Sequence, residues 1–92
     1  MNAPNWNKIK NRISPYLNKI PLQYSSRLSK KYGAKILLKR EDLQPTRSFK
    51  IRGALNKIIK EYELDSKMRV VCASAGNHAQ GVAFSCQLLG IQ

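Results

Sequence analysis

Residues 68–90, MRVVCASAGNHAQGVAFSCQLLG, decide the fold. The run Val70, Val71, Cys72, Ala73 lacks polar alternation, as expected of a strand covered on both faces. Residues 74–77, SAGN, read as a turn. Beyond it Ala79, Val82, Ala83, Cys86 and Leu89 fall on one helical face, and Gly90 ends the helix. The same order occurs upstream. Residues 34–39, AKILLK, form a compact apolar run that reads as a strand, and residues 41–47, with Pro45, read as a loop. From Ile51 the apolar positions Ile51, Leu55, Ile58, Ile59 and Tyr62 trace one face of a second helix. Its other face carries Lys57, Lys60 and Glu61, with Lys57 and Glu61 at a favourable i, i+4 spacing. Strand, helix, strand, helix predicts an α/β protein with a short parallel sheet flanked by helices.

Working outward, Ile9, Ile13 and Tyr16 follow Trp6 at helical spacing, and a short helix is expected to end before Pro15. Residues 20–22 begin an extended segment, and residues 26–32 give a helical turn stopped by Gly33. A parallel sheet of about two strands cannot cover both its faces. The sequence is therefore expected to be part of a larger α/β protein, with residues 1–19 as an extension and 20–92 as an incomplete amino-terminal portion of a catalytic domain.

Of the 92 residues, 42% are hydrophobic and 24% charged, a composition that folds. The formal charge of +12, from 17 basic and 5 acidic residues, has the sign expected of a nucleic-acid binder. The basic residues are scattered from Lys8 to Arg69 without a long block, however, which fits a solvated surface better. Cys72 and Cys86 sit among apolar residues with no C-x-x-C pair, so both are expected to be buried thiols. His78 is the sole histidine, too few ligands for zinc, and no metal is expected. No apolar run reaches the length of a membrane span and no signal-peptide core is present, so no membrane association and a cytoplasmic location are expected.

Two places could carry chemistry. Lys50 lies between Phe49 and Ile51 at the start of a helix, with Arg52 two residues on. Desolvation, a nearby cation and the helix dipole would all favour a neutral amine, the form that attacks carbonyls. The loop Ser74, Ala75, Gly76, Asn77, His78 lies where a strand meets a helix, the edge at which open α/β sheets bind ligands. Free N–H groups there attract carboxylate or phosphate. The plainer alternatives are a surface lysine, a helix cap made by Ser74 or Asn77, and a structural, hydrogen-bonded His78. Glu41 and Asp42 are adjacent, so they should point apart and form no acid/base pair.

The motifs KREDLQ (39–44), SFKIRGA (48–54) and ASAGNHAQGVA (73–83), in this order and spacing, resemble the threonine dehydratases. These are pyridoxal-phosphate enzymes of the tryptophan-synthase-β fold. The resemblance covers about residues 20 to 91, and its wording is closer to the biosynthetic form. It implies that Lys50 carries pyridoxal 5'-phosphate covalently and later takes the Cα proton. It implies that Phe49 packs on the cofactor ring, that Asn77 hydrogen-bonds the ring hydroxyl, and that Ser74, Ala75, Gly76 and His78 hold the substrate carboxylate. The implied reaction converts L-threonine to 2-oxobutanoate and ammonia in isoleucine biosynthesis, with L-serine as a poorer substrate and a homo-oligomer if the chain is full length.

Ile20 stands where the family commonly has threonine. The family's glycine-rich phosphate loop and its residue at the pyridine nitrogen are downstream and absent here, as is any regulatory domain. The 92 residues alone are therefore expected to be inactive. The alternatives are a serine dehydratase or a serine or aspartate racemase of the same fold, or a basic, non-catalytic protein that binds nucleic acid or a partner.

Overall fold

The computed structural model describes residues 2–92. Helix α3 (Lys50–Leu64) organises it, because it buries two sides at once. Ile51, Leu55 and Ile59 join Ile13 in one cluster, with Ile9, Leu17 and Phe84 packed against it. Ala54 and Ile58 join Val82 and Cys86 in a second, flanked by Met68, Val70 and Ile91. Helix α1 (Trp6–Ile13) supplies Ile9 and Ile13, and helix α4 (Asn77–Leu89) supplies Phe84, Val82 and Cys86. The Arg12 guanidinium donates to Asn56 Oδ1 at 2.7 Å and fixes α1 along α3.

Helix α1 ends before Pro15 as expected, capped at its start by Asn5, whose side chain accepts from Lys8 N–H. Helix α2 (Ser26–Tyr32) is capped by Ser25 and closed by Gly33 at φ 61°, the left-handed region where glycine costs least. Lys57 and Glu61 pair at 2.7 Å on the exposed side of α3. The amphipathic stripe of α3 is the one the spacing predicts, with Tyr62 at its half-buried margin.

The sheet differs from expectation. Strand β1 (Leu22–Tyr24) pairs antiparallel with β2 (Leu37–Lys39), in the register Leu22 to Lys39 and Tyr24 to Leu37. The parallel partner expected at residues 68–73 is no strand at all: the run is irregular, with Val71 96% exposed. Met68 and Val70 are drawn onto the α3–α4 cluster by their apolar side chains. Val71 and Cys72 stay in solvent, so Cys72 is exposed where a buried thiol was expected, while Cys86 is buried. A first trace of pairing exists where α4 returns the chain, with Val70 N–H donating to Gln92 O at 3.1 Å.

The buried face of α4 holds Val82 and Cys86, with Ala79 and Leu89 half-buried, as the spacing predicts. Gly81 and Ser85 are buried as well while Ala83 is exposed, because α3 packs against the glycine and serine side. The radius of gyration is 16.0 Å, against about 12 Å for a closed domain of this length. The hydrophobic core is accordingly one helix thick on either side of α3. None of the described helices is long and apolar enough to cross a membrane.

Candidate functional site

Lys50 opens α3, and Ser48 Oγ accepts its backbone N–H at 3.4 Å in place of a side-chain cap on Phe49. The turn before it closes with Arg47 N–H donating to Gln44 O at 2.9 Å. Arg47 is the non-glycine residue with positive φ, 61°, among those described. This costly conformation swings the chain from the 44–47 turn into the helix. Gln44, 2% exposed, anchors the turn by accepting from Asn18 N–H at 3.2 Å and donating to Asn18 O at 3.4 Å.

Glu41 and Asp42 do point apart. Asp42 accepts from the Arg40 guanidinium at 2.8 and 2.6 Å. Glu41 takes a two-pronged bond from Arg52, at 2.9 and 2.8 Å, with its side chain 15% exposed. The Arg52 hydrogen bond holds the Glu41 carboxyl below the usual range, against the opposing push of burial. A carboxyl lowered in the folded state stabilises fully above its unfolded pKa, and that stability fades as pH falls through the folded value. The urea midpoint is therefore expected to decline on acidification below about pH 4.3. Glu41→Gln should flatten this acid limb, and an unchanged limb would show that the pair contributes nothing.

The pairing with Glu41 neutralises Arg52, so the cation expected to act on Lys50 is already engaged. Lys50 and Phe49 are both exposed, Phe49 at 59%, so the described residues do not supply the expected shielding. What stands there is an accessible amine, its Nζ over the exposed Phe49 ring at 5.1 Å from the centroid.

The loop of residues 74–78 is exposed throughout. Gly76 caps α4 without a side-chain bond, and its N–H donates to Ser74 Oγ at 3.3 Å. Asn77 is therefore inside the helix, its carboxamide without a hydrogen-bond partner among the described residues, so it is not the cap. His78 has no hydrogen-bond partner among the described residues and is exposed, unlike a structural histidine. A Cβ at Gly76 would meet nothing within 4 Å, so a ligand can approach the backbone on that side.

The two places are brought together by α4. Gly81, one turn after Asn77, lies against the backbone of Lys50 and Ile51, 3.3 Å from where its own Cβ would be. At its far end Leu89 packs on the clusters that hold Ile58 and Ile59. Helices α3 and α4 thus run in the same sense, with their amino ends adjacent. A groove of about 960 Å³ between α1 and α3, lined by Trp6, Ile9, Leu17 and Asn56, is a separate feature that includes neither Lys50 nor the loop. Gly81 is the residue of this region that sequence reasoning passed over. A glycine inside an otherwise strong helical pattern was its only signal.

An accessible primary amine, an exposed aromatic face and a free carboxamide at adjoining helix starts fit the aldehyde, ring and ring hydroxyl of a pyridoxal group. The glycines Gly33, Gly53, Gly76, Gly81 and Gly90 are dispersed and form no glycine-rich phosphate loop.

A family model described as pyridoxal-phosphate dependent enzyme matches residues 13–92. The biosynthetic L-threonine dehydratase of Bacillus subtilis is 61% identical over 71 residues, 77% of this chain and 17% of the relative. Among solved structures, a threonine deaminase from T.th. superposes with a TM-score of 0.78 at 44% identity, over 92% of this chain and 30% of the other. The serine racemase of Dictyostelium discoideum superposes with a TM-score of 0.87 at 32% identity, over 94% and 28%. The chain spans about a fifth of the length of the curated relatives it matches.

Proposed function

Because the chain belongs to the pyridoxal-phosphate dependent enzymes, by a family model that covers residues 13–92, we propose that it is the amino-terminal part of the catalytic domain of a threonine dehydratase. The observation that carries this reading is the close approach of Gly81 to the backbone of Lys50 and Ile51, which sets the amino ends of α3 and α4, where Lys50 and Asn77 stand, side by side. The substrate reading is supported by the 61% identity to a relative named for that activity. In this reading the complete enzyme is cytoplasmic, forms a homo-oligomer and serves isoleucine biosynthesis.

Pyridoxal phosphate, when bound, supplies an electron sink for charge that develops at the substrate Cα. Lys50 Nζ would hold the cofactor and would accept the substrate Cα proton. Phe49 would cover one face of the ring and keep water from it. The Asn77 carboxamide would donate to the ring hydroxyl. The exposed N–H groups at the start of α4, with Ser74 and His78, receive the substrate carboxylate, favoured there by the helix dipole. Ala75 and Gly76 leave room for its approach.

The test is a chimera in which these residues replace their aligned counterparts in the Bacillus subtilis relative. Release of 2-oxobutanoate from L-threonine is expected. Turnover of L-serine alone, or epimerisation of serine or aspartate, would transfer the assignment to the second reading, a racemase or serine dehydratase of the same fold. That reading is favoured by the higher TM-score of the serine racemase, 0.87 against 0.78. A folded chimera with none of these activities would overturn both.

A further inference from the structure

Asn77, Gly81 and Ser85 stand four residues apart and so share one stripe of α4. Gly81 and Ser85 are buried, Ser85 with no exposed surface. A Cβ at Gly81 would lie 3.3 Å from Ile51 Cα, Ile51 N and the carbonyl carbon of Lys50. All three are backbone atoms of the first turn of α3, so no rotamer change can relieve the contact. At Gly33, Gly53, Gly76 and Gly90 a Cβ would meet nothing within 4 Å. The Ser85 hydroxyl donates to Gly81 O at 2.7 Å, which satisfies it within α4 and keeps the stripe narrow where α3 lies against it.

One turn of α4, about 5.4 Å, separates Gly81 from Asn77. The contact at Gly81 therefore determines how far Asn77 stands from Lys50. We propose that Gly81 is a positioning residue, whose missing side chain sets the separation between the Lys50 amine and the Asn77 carboxamide across the cofactor-binding face. The proposal rests on the reading of those two residues as the cofactor's holders. A methyl group here would push the amino ends of α3 and α4 apart by a few tenths of an ångström. The cluster of Ala54, Ile58, Val82 and Cys86 would still clamp the helices further along. The displacement is thus concentrated at the site, where it takes up much of the about 0.5 Å within which a constellation must be held.

The experiment treats the 92-residue chain with pyridoxal phosphate, fixes the adduct with borohydride and reads the label on each lysine by peptide mass spectrometry. Urea midpoints are measured in parallel. In the native chain Lys50 should carry about threefold more label than Lys57 and Lys60 of the same helix, through the Phe49 face and Asn77. Gly81→Ala should bring Lys50 to parity with them, although alanine is the better helix former. Ile58→Val, which loosens the same helix pair away from Lys50, should keep the excess even as its midpoint falls. An excess retained in Gly81→Ala overturns the positioning role alone, and loss of the excess in both variants reduces it to stability. Parity in the native chain overturns the cofactor reading and this inference with it.

Discussion

Leu55→Ala is expected to lower the urea midpoint of the 92-residue chain by more than about 1 M. Leu55 has no exposed surface and shares its cluster with Ile13, Ile51 and Ile59, so it touches the partners that hold α1 to α3. A buried Leu→Ala costs about 2–5 kcal/mol, through lost transfer energy and the cavity left behind. A chain of this length has on the order of 5 kcal/mol of stability at the low end of the usual range. The open shape, with a core one helix thick on each side of α3, places this chain toward that end. One substitution then removes half of the stability or more, and helical ellipticity should already decline without denaturant. Leu64→Ala, at a position 82% exposed on the same helix, should stay within about 0.5 kcal/mol of the parent. If the two variants unfolded alike, α3 would not be the element that holds the fold.

The helices were legible because their signals are local. Gly33 stops α2, Pro15 halts α1, and the spacing of Ile51, Leu55, Ile58 and Ile59 marks the buried stripe of α3. The sheet was not legible because pairing is a property of two segments. Residues 70–73 have the composition of a buried strand, but among the described residues no strand is hydrogen-bonded to them, Val70 alone reaching Gln92 O, and without a partner strand the composition has no structure to specify. One edge of the α4 face was missed for a different reason. Hydrophobicity ranks Ala83 above Gly81 and Ser85, whereas close helix packing selects for small size, which brings the glycine and serine inward. Ser85 could go there because its hydroxyl is satisfied by Gly81 O.

The same distinction runs through the site. The residue types at Lys50, Phe49 and Asn77 were readable from the motifs, and so was their placement at helix starts. Their environment was not. Arg52 looked like a cation beside Lys50 until its guanidinium was found on Glu41, eleven residues back in the chain. The burial anticipated for Lys50 requires atoms on its far side that none of the described residues provides.

Lys50→Ala in the chimera with the Bacillus subtilis relative is expected to reduce 2-oxobutanoate release by about 10³-fold or more. The loss combines two roles of one amine. Proton transfer by a positioned base contributes about 10²–10⁴-fold, and the covalent hold on the cofactor adds to it. The roles can be separated, because a small primary amine in solution can enter the space vacated by the side chain and accept the Cα proton without tethering anything. Added methylamine should restore part of the rate, rising with the concentration of its unprotonated form. Lys50→Arg, which keeps the positive charge over Phe49 but offers no neutral amine near pH 7, should be as inactive as Lys50→Ala and resist rescue, since its side chain fills the space. Lys57→Ala, one face away on α3, should leave the rate within about twofold, because an exposed ion pair contributes little. If Lys50→Ala retained more than about a tenth of the parent activity, the proton would be taken elsewhere, and Lys50 would be the surface lysine that its exposure alone suggests.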